Sequence, residues 1–188
     1  MSKYIHDYSP EKKHSKKDSD SYSSQTVNVN LNCFDKKENK KKDGRKKEKS
    51  AFRAIKNANQ AVPANTFVKV LYQNEQFDLA NEYNPATSTF VPSEDGVYLV
   101  IGSMSFDPTN NNVPYRARIE IRVNGATNAS IDNDFFGPSN FNNAVSVSSI
   151  LRLQAGDVVE IFATSSIAGV IAPGGADNAT HFEAARLA

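Results

Sequence analysis

Residues 51–188 are predicted to form an all-β fold, an antiparallel sandwich of the jelly-roll kind, preceded by a disordered basic arm. Three observations predict it. From Ala51 onward, short runs of β-branched and aromatic residues recur between clusters of Asn, Gly, Pro, Asp and Ser, at the spacing of sandwiches and barrels. Two of these runs alternate apolar and polar residues, the first of them cleanly, and no segment shows a sustained helical period. Composition splits the chain at the same place. The first 50 residues hold 14 of its 22 Lys and Arg but only 8 of its 21 Asp and Glu, so an arm of about +6 joins a body of about −5.

The elements of the body follow in order. Residues 67–72 (FVKVLY) and 75–78 read as strands, and residues 81–90 as a turn leading into a short strand. Residues 96–106 (GVYLVIGSMSF) form the strongest core strand, and 107–114 a loop by composition. Residues 115–123 place Ala117, Ile119, Ile121 and Val123 on one face and Arg116, Arg118, Glu120 and Arg122 on the other. Asn124-Gly125 then gives the strongest short hairpin signal available. A second alternating run, 144–153, ends in the turn Gln154-Ala-Gly-Asp157, which feeds 158–163. Residues 126–143 and the Gly- and Ala-rich 168–178 read as loops, and 180–187 (THFEAARL) as the closing strand. Eight to ten strands without a helix make a sandwich or jelly roll. A body of this size buries enough surface to fold without disulfide or metal.

The arm reads in three parts. Residues 1–24 carry too little apolar surface to offset the entropy of ordering, so they are expected to be disordered. In residues 25–34, Val27, Val29, Leu31 and Cys33 alternate with Thr26, Asn28, Asn30 and Asn32, the period of a half-buried strand. Such a strand docks on this body, adds to a sheet edge of another chain, or stays unpaired with incidental alternation. Residues 35–50 form a lysine-rich linker, a solvated self-repelling block or an adhesive for an anionic partner. Interspersed acids and the lack of aromatic residues argue against nucleic acid as the main partner. Cys33, the only cysteine, cannot staple the fold and is either a free thiol or an intermolecular cross-link. No apolar run is long enough for a transmembrane segment. The N-terminus lacks the apolar core of a conventional signal peptide. The expected location is a cell or spore surface reached without that signal, as by mother-cell lysis, or otherwise the cytoplasm.

The order of motifs is that of a known superfamily. Phe77-Asp78, Asn81-Glu-Tyr83, Thr87-Ser-Thr-Phe90, Pro92 and Gly96-Val-Tyr98 follow a pattern of the C1q/TNF-like globular domains. Leu151-Arg-Leu153 with Gly156-Asp157 resembles the later L-x-L-x-x-G-D segment, residues 181–187 the closing strand, and Ala51-Phe52-Arg53-Ala54 the opening one. The resemblance spans residues 51–188 and is nearest to bacterial members such as the C-terminal domains of spore-surface collagen-like glycoproteins. No Gly-X-Y repeat precedes the domain here, so a stalk is not implied. The resemblance implies a homotrimer, with Ala51, Phe52, Phe182 and Ala184 lining the threefold axis. Phe77, Phe90, Tyr98 and Phe162 suit core positions, and Pro92 and Gly96 a tight turn of fixed or positive φ.

Chemistry is sparse. His6 and His14 lie in the arm, which leaves His181 as the body's only histidine, and no nucleophile, zinc or phosphate-loop motif occurs. A non-enzymatic role is expected. Asp132 and Asp134, with Asn133 and Asn128 nearby, offer hard oxygen ligands on a loop. They read as a calcium site, to which some C1q-like trimers add weight, or as a turn whose side chains cap their own backbone. No other cofactor is suggested. The composite expectation is a non-catalytic structural or surface-display trimer, for example in a bacterial spore-surface layer or fibre, whose proteins the arm engages. The alternative is a soluble recognition module binding a glycan or protein through its loops.

Overall fold

A computed structural model describes residues 49–138, 142–175 and 178–188, with the backbone alone at 127–129. The expected disorder of 1–24, the strand expected at 25–34 with Val27, Val29, Leu31 and Cys33, and nearly all of the linker lie outside the described residues.

In chain order the strands are β1 (Ala51–Ile55), β2 (Gln60–Val62), β3 (Val68–Lys69), β4 (Asn74–Asp78), β5 (Tyr83–Asn84), β6 (Thr89–Phe90) and β7 (Gly96–Pro108). They continue with β8 (Tyr115–Val123), β9 (Ala126–Phe136), β10 (Asn143–Leu153), β11 (Val159–Ser165), β12 (Gly169–Ala172) and β13 (His181–Arg186). The larger sheet runs β2-β12-β7-β13-β1-β4, with β10 along the other flank of β7. The smaller runs β5-β6-β11-β8-β9, with β3 also on β11. All strand pairs are antiparallel. This is the expected all-β, antiparallel jelly-roll sandwich.

The core lies between the sheets. Phe52 of β1 stacks on Tyr83 and Phe90 of the facing sheet, with ring centroids 4.5 and 5.0 Å apart, and meets Phe182 edge-on at 4.9 Å. Each such pair adds about 0.5–1.5 kcal/mol beyond area burial. Buried hydroxyls find partners within the same cluster. Tyr83 donates to the Tyr72 carbonyl at 2.6 Å, and Tyr72 to that of Ser103 at 3.0 Å. Gly102 lets the two sheets pack closely, because a Cβ there would fall 2.7 Å from the Ile161 side chain.

Several expectations hold and several are corrected. The β8–β9 hairpin turns at Asn124 and Gly125, with φ of 54° and 72°, the paired positive φ of a type I′ turn. Phe90 and Tyr98 are core residues as expected. Phe77 is not, being 45% exposed, and Phe162 is half-buried on the outer face beneath Arg122. Gly96 opens β7 without positive φ, and a side chain there would strike Arg186 and the Ala188 carbonyl. The segments 126–143 and 168–178, read as loops, contain β9 and β12. Their Asn, Ala and Gly content conceals strands whose backbone pairs with β8, β7 and β2.

Candidate assembly interface

Four strands of the larger sheet, β10, β7, β13 and β1, place their inward residues in the core, including Val147, Val100, Phe182, Ala184 and Phe52. Alternation then sends the intervening residues outward. Strand register assembles them into rows across the sheet. One row runs Ile150, Leu99, Ala185, Ala51, and the next Ser148, Ile101, Glu183, Arg53, Phe77. Further toward the far end, the outward positions become polar at Ser146, Ser103 and His181. The face thus grades from apolar near the last residues of the chain to polar at the opposite end.

This apolar half is exposed in the single chain. Ile150, Leu79, Leu187 and Phe77 are 64, 57, 55 and 45% exposed. Two shallow depressions, sharing Ala51 and Ala185, hold about 150 Å³ beside Phe77, Leu99 and Ile101 and about 370 Å³ beside Leu79 and Leu187. At their border Arg53 bonds Glu183 at 2.6 Å and Gln76 at 2.9 Å, so the charges there are paired within the chain. A contiguous apolar surface of this kind marks an interaction site.

The expected interface residues lie on β1 and β13, but three of them point into the core. Phe52, Phe182 and Ala184 are 1, 0 and 5% exposed. Their side chains are committed to the core of one protomer and cannot line an axis between protomers. Ala51 alone of the expected set faces outward. A shift of one residue along a strand exchanges its two faces, and the outward set is Ala51, Leu99, Ile101, Ile150, Phe77 and Leu79. The signal for them was present in residues 96–106, where Leu99 and Ile101 interrupt the alternation. A strand apolar on both faces is a strand covered on both faces.

His181 is held as a structural residue. Its Nδ1 lies 2.9 Å from Ser103 Oγ and 3.1 Å from the Asn178 carbonyl. Ser103 donates its hydroxyl hydrogen to the Ala179 carbonyl at 2.5 Å and accepts the His181 backbone N–H at 3.1 Å. With that hydrogen already placed, Nδ1 is the donor toward Ser103 or Asn178, so it is no base for the serine. The other nitrogen stands 3.8 Å from Glu183.

Asp132 and Asp134 lie on β9, not on a loop, which corrects their expected setting. They register opposite Ile119 and Ala117, both fully buried, and so share the inward face at the end strand of the smaller sheet. Burial, and then the nearby Asp132 charge, raises the Asp134 carboxyl above its ordinary value. Asn133 registers with Arg118 on the opposite face, and the side chain of Asn128 lies outside the described residues, so among the described ones only the two aspartates share a face. Calcium takes six to eight oxygens. Among the described residues no group of three or more His, Cys, Asp or Glu is placed to hold a metal, and no helix is long and apolar enough to cross a membrane.

No family model and no curated protein matches the chain. Solved structures do. Two structures of murine APRIL, at pH 8.5 and 5.0, superpose with TM-scores of 0.51 and 0.50 at 12 and 13% identity. Each match covers 74% of this chain and 100% of the other. The globular domain of zebrafish complement 1qA protein gives a TM-score of 0.49 at 17% identity, covering 75% of this chain and 98% of that one. The fold is the C1q/TNF-like jelly roll.

Proposed function

We propose that this chain is a non-catalytic structural or surface-display protein that assembles as a homotrimer through the outer face of its larger sheet. The observation that carries this reading is the outward apolar row Ile150–Leu99–Ala185–Ala51, partly exposed along its length, with Ile150 and the flanking Phe77, Leu79 and Leu187 exposed. Burying one such large side chain contributes about 1.5–3 kcal/mol. Three copies of the face around one axis would bury it without leaving an open end. In this reading the basic arm, with its alternating strand and Cys33, attaches the trimer to proteins of a surface layer or fibre such as that of a bacterial spore. The body's fold supplies the assembly and the arm supplies the address.

Sedimentation of the full chain tests the assembly. A trimer of the 20.6 kDa chain has a mass of about 62 kDa, and a monomer at micromolar concentration would overturn the reading. Deleting residues 1–49 should abolish incorporation into the layer while leaving the oligomer intact. Undiminished incorporation would remove the arm's role.

A further inference from the structure

β8 carries three arginines on the outer face of the smaller sheet, and two are held in place by one shared carboxylate. Arg118 and Arg122 bond the two oxygens of Glu120 at 2.6 and 2.5 Å, and Arg122 lies over Phe162 at 3.8 Å. Lys69 on the same face is paired with Glu160 at 2.6 Å. Arg116, the next outward position of β8, is different. It has no carboxylate partner among the described residues, and its Nε is buried without a hydrogen-bond partner. Its backbone is fixed, with its N–H donating to Ser166 Oγ and its carbonyl accepting the Ser166 N–H, both at 2.9 Å.

The surroundings of Arg116 are apolar and open. Its neighbour across the β8–β9 ladder is Phe135, 80% exposed and the most exposed of the large apolar residues described. Arg116 and Phe135, with Pro114, Tyr115, Phe136 and Ser166, line a cleft of about 390 Å³, within the range of small-molecule sites. The Tyr115 hydroxyl oxygen accepts from Asn143 Nδ2 at 2.6 Å and the Ser166 hydroxyl oxygen accepts the Arg116 N–H, so neither hydroxyl hydrogen has an acceptor among the described residues. The cleft therefore offers a cation without a carboxylate partner, hydroxyl donors and aromatic walls.

We propose that this cleft binds a carboxylate-bearing sugar ring, a uronate-type unit of an acidic glycan. The guanidinium fork matches a carboxylate bidentately and supplies the missing partner of Nε. The apolar C–H face of the ring lies on Phe135, and Ser166 donates to a ring hydroxyl. A cation left unpaired on a body of about −5 selects an anion that the rest of the body repels. An acidic peptide fits less well, because the cleft lies on the face of the β8–β9 ladder. There the backbone of β8 is already spent on pairing with β9 and with Ser166. All six lining residues belong to one protomer, so the site does not depend on the proposed trimer.

The chain contains no tryptophan, so Phe135→Trp places a single emitter in the cleft. Digalacturonate titrated into the full-length Phe135→Trp chain should shift its emission saturably. The basic arm would attract any polyanion, but it cannot report through this fluorophore. Adding Arg116→Gln should weaken the response at least about tenfold, and neutral galactobiose should give none. Calorimetry of the unsubstituted chain and of Arg116→Gln alone repeats the comparison should the tryptophan disturb the wall. No binding by either method, equal binding after Arg116→Gln, or equal binding of galactobiose would each overturn the proposal. Tighter binding of an acetylated diglutamate amide would overturn it in favour of an acidic peptide.

Discussion

The two sheets share one core but present opposite outer faces. On the smaller sheet most of the outward charged side chains are held by one another, with Arg116 the exception. Glu120 is fully buried between Arg118 and Arg122, Lys69 reaches Glu160 and Thr89, and the two arginines lie near Phe67 at 5.3 and 4.9 Å. On the larger sheet the outward side chains are Ile150 and Phe77, both exposed, with Leu99, Ile101, Ala185 and Ala51, partly exposed, and no element among the described residues covers them. A face whose charges are paired in place can stand in water as it is. A face of uncovered apolar side chains gains free energy only by meeting another surface. The difference is what favours the larger sheet as the assembling side of the proposed trimer.

The sharpest way to break this contrast is to put a charge on each face in turn. Ile150→Glu, at a position already exposed in the single chain, leaves the protomer folded. It buries three unpaired carboxylates in the trimer, at a cost of several kcal/mol each. Sedimentation should show monomer. Ile131→Glu, at a position exposed on the smaller sheet, should leave the mass unchanged. If both variants behave alike, the two faces do not differ in the way argued.

The next effect reverses the contrast. Glu120→Gln removes the one carboxylate that holds both Arg118 and Arg122 and should lower unfolding stability by about 3 kcal/mol, read from denaturant midpoints. The oligomer should persist, because this face meets no partner in it. Loss of the trimer at full protomer stability would place the interface on the smaller sheet.

The sequence made the strands of these faces legible, but not always their sides. β8 and β10 could be read because polar and apolar residues alternate there, and the Asn124-Gly125 turn because few other pairs tolerate two positive φ values. β13 reads Phe, Glu, Ala, Ala, Arg after its histidine, and β1 reads Ala, Phe, Arg, Ala, Ile. In both, the inward and outward sets each contain alanine or a larger apolar residue, so the aromatic residues drew the interface to the wrong face. Phe52 and Phe182 are large and apolar whether they fill a core or an axis, and only the facing Tyr83 and Phe90 decide between these. Strands of two residues, such as β3, β5 and β6, exist through their pairing and leave no periodicity to read. The Arg116 cleft was hidden for another reason. Arg116, Arg118 and Arg122 are equivalent in the alternation, and only tertiary contacts show that one lacks a carboxylate.

Between the faces lies a charge handled in neither way. Lys56 is 2% exposed, and its ammonium donates to Gln60 Oε1 and the Leu71 carbonyl, both at 3.0 Å and both neutral. Burial pushes its pKa down to about 8 from 10.5. The unfolded chain then binds this proton more tightly than the folded one, so stability rises with pH between about 8 and 10.5. Burial moves Tyr83 the other way, up to about 12. That group begins to reduce stability as pH passes the ordinary tyrosine value near 10. The clean window is therefore pH 8 to 9.5, where stability should increase by about 1–2 kcal/mol, measured by denaturant unfolding. Lys56→Met should flatten the increase, and an unchanged slope would mean that this lysine is not its source.

The smallest effect is expected at the end strand of the smaller sheet, where an acidic pair takes the place of the paired charges on its outer face. Asp134 is half-buried on the inward side of β9, and burial with the Asp132 charge raises its pKa. A carboxyl with a raised folded pKa contributes stability in its protonated form, below its unfolded value. That contribution is lost as pH rises and the group ionises. Asp134→Asn should therefore stabilise the protein at neutral pH, by about 0.5 kcal/mol for so modestly buried a group. The gain should shrink as the pH falls and the aspartate itself takes up a proton. The same variant addresses calcium. If the pair holds the ion, Asp134→Asn lowers stability in millimolar calcium and abolishes any calcium-dependent rise in melting temperature. If the pair only repels itself, the variant is more stable with calcium or without it. The two carboxylates, with Asn133 turned to the opposite face, favour the second outcome, since two ligands from one strand leave most of a calcium ion's coordination to water.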